Sequence, residues 1–218
     1  LVSSLGFNVL SMDEIVEWAD IISIQIPDKS IPSVFNYISR TLTSKKIILL
    51  SHGYVVSYNK IKLTSYTDIV LVAPSSSGYA LRKSYKEGIG VPGLVAYIGD
   101  DSLLDIALAY SKAIGLTKSG VYTTTFDTET VSDLFGEQAV LVGGLFCLVY
   151  ASFNALVEKG YNKNVAWLVC FYELKNIVNT IYDVGFFNFF EKISQNAQVG
   201  AEKVINSEIY SKIVKEFN

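Results

Sequence analysis

The chain has 218 residues, of which 50% are hydrophobic, 13% aromatic and 18% charged, with a formal net charge of -3. This length accommodates one large domain or two small ones with buried cores, and the acidic balance excludes the electrostatic footprint of a nucleic-acid binder. A charged fraction below the roughly 25% of ordinary soluble domains implies much buried surface, including an interface with another chain.

Phe7-Asn-Val-Leu10 reads as a short strand. Ser11, with Glu14 three residues on, has the capping-box spacing and predicts a helix from Met12 to Ala19. Ile21 to Ile26 is a β-branched strand run stopped by Pro27. Ser30 to Leu42 carries Ile31, Val34, Phe35 and Ile38 at a helical period. Ile47 to Leu50, Ile69 to Val72 and Leu94 to Ile98 are continuous apolar runs, as expected of strands covered on both faces. Ser102 to Ile114 is a helix ended by Gly115. This alternation predicts an α/β fold with a mainly parallel, doubly wound sheet.

From Asp127 onward only helical periods occur, with breaks expected near Gly160, Gly185 and Gly200. The domain boundary is therefore placed near Tyr122, giving an α/β domain over 1–122 and an all-helical domain over 123–218. Ala139 to Val157 is uncharged and long enough to cross a bilayer. Gly143, Gly144, Ser152 and Asn154 interrupt it and no basic cluster flanks it, so it is read as a buried central helix and not a membrane span. Cys147 and Cys170 sit in apolar runs without CxxC spacing, which predicts two buried free thiols in a reducing, cytoplasmic compartment. No basic-then-apolar signal pattern is read at the front, and because the chain begins with Leu1 rather than Met its true start is expected upstream.

The chemistry-bearing stretch is Asp133-Leu-Phe-Gly-Glu-Gln138, running into Ala139-Val-Leu-Val-Gly-Gly144. Asp133 and Glu137 stand four positions apart and share one face of a helix. Such a pair can hold a hard divalent cation. On spacing alone such a pair is usually a solvated acidic face.

The stretch, with Gly143-Gly144, resembles the metal-binding helix of ketol-acid reductoisomerases. Ser51-His-Gly-Tyr54, Val72-Ala-Pro74, Glu87-Gly-Ile-Gly-Val-Pro92, Leu108-Ala-Tyr-Ser-Lys112 and Glu173-Leu-Lys175 follow in the family's order and spacing. The resemblance runs from about Gly6 to about Ile205. It implies a partial Rossmann-like sheet followed by an all-helical, knotted domain. It also implies two Mg²⁺ ions that polarise a 2-hydroxy-3-keto acid during an alkyl shift, and NADPH that reduces the product ketone.

Carried over residue by residue, Asp133 and Glu137 match the family's first metal-binding pair. Glu173 matches the second of two glutamates on a later helix, His52 the histidine after a strand, and Ser194 a substrate-contacting serine. His52, Glu173 and Ser194 are thus the catalytic candidates. Three departures oppose them. Val169 replaces the first glutamate of the later helix, Val131 replaces a glutamate two residues before Asp133, and Ser75 replaces the active-site lysine. The family's Gly-x-Gly-x-x-Gly turn lies before the segment that matches Gly6, so no cofactor-binding residue is assigned. The chain is read as a truncated, divergent member.

Phe146, Cys147, Tyr150 and Ala155 stand at positions usually polar in the family, and Phe186-Phe-Asn-Phe-Phe190 where arginines are usual. They imply an apolar interface of a homo-oligomer or hetero-assembly. The function expected is that of a catalytically impaired homologue, a structural or assembly component with at most a vestigial metal site. The alternatives are an active Mg²⁺- and NADPH-dependent enzyme of valine and isoleucine biosynthesis, and a binding protein for a small hydroxy- or keto-acid.

Overall fold

In the computed structural model, which describes residues 2–208 and 212, the apolar runs become the inner strands of a five-stranded sheet. The strands are β1 (Ile21–Ser23), β2 (Lys46–Leu50), β3 (Thr67–Pro74), β4 (Gly93–Ile98) and β5 (Val121–Thr123), and they are ordered β1-β2-β3-β4-β5. Helices α1 (Met12–Trp18), α2 (Ile31–Thr41), α3 (Tyr54–Ser57), α4 (Gly78–Glu87) and α5 (Leu103–Ala113) connect or precede them.

Period-two alternation explains how one sheet is covered on both faces. Ile48 and Leu50 of β2, Ile69 and Leu71 of β3 and Ala96 of β4 pack with Val16 of α1, Ile31, Phe35 and Ile38 of α2, and Val55 of α3. Their neighbours Leu49, Val70, Val72 and Val95 pack on the other face with Leu103 and Ala107 of α5 and with Leu116. A doubly wound α/β unit results.

The sheet is mainly parallel, as expected, with one antiparallel pairing. β1, β2 and β3 run parallel, with Ile22 opposite Ile48 and Leu49 opposite Val70. β4 is antiparallel to β3, with Ile69 opposite Ile98 and Pro74 opposite Gly93, and β5 is parallel to β4. An apolar run carries no direction, so burial alone could not distinguish the two arrangements. Phe7 to Leu10 is not a strand: it has no ladder partner among the described residues and leaves Phe7 and Val9 exposed. The short strand β5 escapes sequence reading because its three residues show no clear period.

After β5 every described element is helical: α6 (Phe126–Phe135), a π-helical segment (Gly136–Val142), α7 (Gly143–Glu158), α8 (Lys163–Trp167), a second π-helical segment (Leu168–Tyr172), α9 (Leu174–Val184), a 3-10 helix (Asn188–Lys192) and α10 (Gln195–Ile205). The breaks expected at Gly160 and Gly185 are present, each glycine at positive φ. The break expected at Gly200 is not, because α10 runs through it. The chain divides into two compact units, Leu1–Ser132 and Asp133–Asn218, with the division falling inside α6.

The expectation of a buried central helix is corrected. No residue of α7 is buried, and Phe146 is 68% exposed. Helix Phe126–Glu158 is long and apolar enough to cross a membrane by length and composition, with a mean hydropathy of 2.1 in its most apolar stretch. Cys147 is likewise exposed and Cys170 half-buried, both as free thiols.

Candidate functional site

The site residue that spacing analysis passes over is Glu129. Thr125 Oγ1 accepts from the Thr128 amide at 3.1 Å and caps α6, while Phe126 sinks into the core beside the sheet. One turn on, Glu129 faces inward with its side chain only 3% exposed. Its Oε1 lies 3.0 Å from His52 Nδ1, and its Oε2 accepts from the Gly53 amide at 2.8 Å and from Thr130 Oγ1 at 3.3 Å. Thr130 Oγ1 also lies 3.1 Å from Ser57 Oγ, which ties α6 to α3.

His52 is in this position because β2 ends at Leu50 and the following turn delivers it beside α6. Its ring stacks at 6.3 Å on Tyr54. A carboxylate oxygen facing Nδ1 at 3.0 Å makes a hydrogen bond that holds the imidazole ring in place. Glu129 therefore holds the orientation of His52. The signal for it was in the sequence: Glu129, Asp133 and Glu137 recur at intervals of four.

Asp133 is exposed in the last turn of α6, and Glu137 is exposed in the first π-helical segment, so the helix changes from α to π between them. Glu173 is exposed at the junction of the second π-helical segment with α9. Single π-helical turns are frequent at functional sites because the wider turn re-aims side chains. Both such segments among the described residues carry or adjoin a candidate carboxylate.

The remaining candidates have structural partners of their own. Ser194 caps α10, its hydroxyl accepting from the Ala197 amide at 3.3 Å. Ser75 is exposed after β3, its amide donating to Pro92 O at 2.9 Å. Val131 and Val169 are 49% and 50% exposed, so each presents hydrocarbon to solvent. As oxygen donors, Asp133, Glu137 and Glu173 fit a hard cation such as Mg²⁺ in kind.

The profile of the acetohydroxy acid isomeroreductase NADPH-binding domain matches residues 2–120, and that of the ketol-acid reductoisomerase C-terminal domain matches residues 126–218. A ketol-acid reductoisomerase (NADP(+)) of Methanocaldococcus jannaschii is 46% identical over 212 residues, covering 93% of this chain and 64% of the relative. One of Methanopyrus kandleri is 40% identical, covering 97% of this chain and 67% of that relative. The solved structure of an NADH-preferring ketol-acid reductoisomerase from an uncultured archaeon superposes with a TM-score of 0.88 at 37% identity, over 99% of this chain and 67% of that one. The chain thus spans about two thirds of the length of the relatives it matches. Both halves are matched in order, by sequence and by fold, and the chain belongs to the ketol-acid reductoisomerase family.

Proposed function

We propose that this chain is a ketol-acid reductoisomerase homologue that keeps the family's fold as a structural or assembly component and is impaired in the family's reaction. The observation that carries this reading is the substitution of the metal site. Val131 and Val169 offer methyl groups where the resemblance places carboxylates. A hard cation gives up its hydration only to enough oxygen ligands. Asp133, Glu137 and Glu173 remain as oxygen donors, fewer than a pair of hard cations needs. Bound there, Mg²⁺ supplies Lewis-acid polarisation of a substrate oxygen. At Ser75 a neutral hydroxyl stands where the resemblance places a lysine, removing a fixed positive charge beside the reacting anion. Within the first unit, Glu129 orients His52, a role that supports the fold whether or not chemistry follows.

A second reading is an active Mg²⁺-dependent reductoisomerase using a nicotinamide dinucleotide. The match to an NADPH-binding domain and the identity to relatives named for NADP(+) favour it. The dinucleotide would lie against the carboxyl ends of the parallel strands. The deciding measurement is NADPH oxidation with acetolactate and Mg²⁺. No consumption above the protein-free blank is expected, and turnover like that of a complete family enzyme would sink the impaired reading. Restoring Val131→Glu and Val169→Glu together is expected to raise metal affinity, read by calorimetry with Mg²⁺.

We also propose, from the exposed hydrocarbon of α7, that the helical unit assembles with a further copy or another chain in the cytoplasm and does not span a membrane. Leu141, Phe146, Tyr150, Trp167 and Phe171 border one groove of about 580 Å³, nearly all of it apolar.

A further inference from the structure

A second groove, in the first unit, is lined by none of the residues discussed above as site candidates. It runs along the outer side of α2 beside the segment 60–64 and has a volume of about 550 Å³. Ile31, Phe35 and Ile38 turn the apolar face of α2 to the core, which leaves Asn36 and Arg40 toward the groove. Opposite them stand Lys60, Lys62 and Thr64.

The backbone that carries these lysines is held in place. Asn59, at φ 51°, is the one non-glycine residue with positive φ among the described residues. It turns the chain out of α3, with its amide bonded to Val56 O at 3.0 Å and that of Lys60 to Val55 O at 2.9 Å. Ile61 and Leu63 then pack against the core, so the alternating Lys60, Lys62 and Thr64 point outward. Thr64 is clasped to Thr67, its amide donating to Thr67 Oγ1 at 2.9 Å and its carbonyl accepting from that hydroxyl at 3.0 Å.

Three cations therefore converge on one concavity of a chain whose net charge is -3. Among the described residues none of the three is ion-paired with a carboxylate. Like charges held together repel, and an anion bridging them removes that cost. The volume falls in the range of roughly 300–1,000 Å³ typical of small-molecule sites. Arginine meets oxyanions through a planar fork and lysine as a point charge. Donors approaching from two sides suit the tetrahedral oxygens of phosphate better than a single flat carboxylate.

We propose that this groove binds a small di- or polyphosphate-bearing ligand, with Arg40, Lys60 and Lys62 neutralising its charge and Asn36 and Thr64 donating to its oxygens. The inference is independent of whether the family's reaction is retained, and its test needs no turnover.

The test is titration of the full chain with inorganic pyrophosphate, followed by amide NMR shifts and calorimetry, with sulfate at matched ionic strength as the control. Saturable binding that moves the amides of 36–40 and 60–64 is expected. Lys60→Gln combined with Lys62→Gln, and separately Arg40→Gln, should each weaken it by at least about tenfold, the loss expected for a charge-assisted contact. All three side chains are exposed, so the melting temperature should stay unchanged. Absence of saturable binding, sulfate binding as tight as pyrophosphate, or undiminished binding by the variants would each overturn the proposal.

Discussion

At Gly53 an added methyl group has no room: a Cβ there would stand 2.5 Å from Thr130 Oγ1, 2.8 Å from Glu129 Oε2 and 2.9 Å from Phe126 O. Its φ of -80° is open to any residue, so the demand for glycine is one of space. Gly53→Ala is expected to push α6 away from the turn after β2 and to cost about 1–3 kcal/mol, the range for overpacking. Denaturant unfolding checks this, and unchanged stability would show that α6 gives way freely. His52, Asp133 and Glu137 were legible in the sequence because their neighbours form a recognisable motif. The hydrogen bond from His52 to Glu129 was not, because it joins residues 77 positions apart. No local pattern encodes a contact made only when β2 and α6 meet.

Capping and helical periodicity operate within a few residues, and at the level of elements they were read correctly where they apply. Ser11 and Glu14 form the full capping box, with the Ser11 amide and hydroxyl each 2.7 Å from Glu14 Oε2 and the Glu14 amide 3.3 Å from Ser11 Oγ. The Ser11 hydroxyl and amide hold the Glu14 carboxyl below its ordinary value. A carboxyl with a lowered folded-state pKa stabilises above its unfolded value, and that stability is lost as pH falls through the folded one. Fraying of α1 is therefore expected on acidification below the ordinary glutamate range, and Glu14→Gln should flatten the pH dependence seen at the α1 amides by NMR.

The π-helical segments are a different case. An apolar stretch such as Ala139 to Val157 fits an α period nearly as well as a wider one, so sequence did not reveal them. Gly143 and Gly144 record the change: a Cβ at either would run into the carbonyl oxygen of Gln138 or Ala139. Alanine normally gains about 1 kcal/mol over glycine in a helix. Here the clash with backbone outweighs that gain. Gly144→Ala should lower the melting temperature or force the segment from π to α, and a raised melting temperature would contradict the π geometry.

For the whole molecule, exposed hydrocarbon is the dominant fact. Phe146 at 68%, Leu148 at 60% and Tyr150 at 57% exposure sit on one helix without a cover of their own. Burying such a side chain is worth roughly 1.5–3 kcal/mol, so several together favour association. A native mass at least twice the 24.0 kDa of one chain is expected at micromolar concentration. Phe146→Asp should shift that mass toward the single chain, and a monomeric wild-type protein would remove the case for assembly.

What the sequence determined by itself was what short range controls. It set helix caps, the period-two strands of a two-faced sheet, the change to all-helical structure after β5, and the motifs that mark the family. The tertiary structure alone decided the antiparallel placement of β4 against β3, the burial of Glu129 beneath His52 and the exposure of α7. Hydrophobicity says that a segment will be covered. It does not say by which strand, in which direction, or whether by this chain or another, because those outcomes depend on partners distant in sequence.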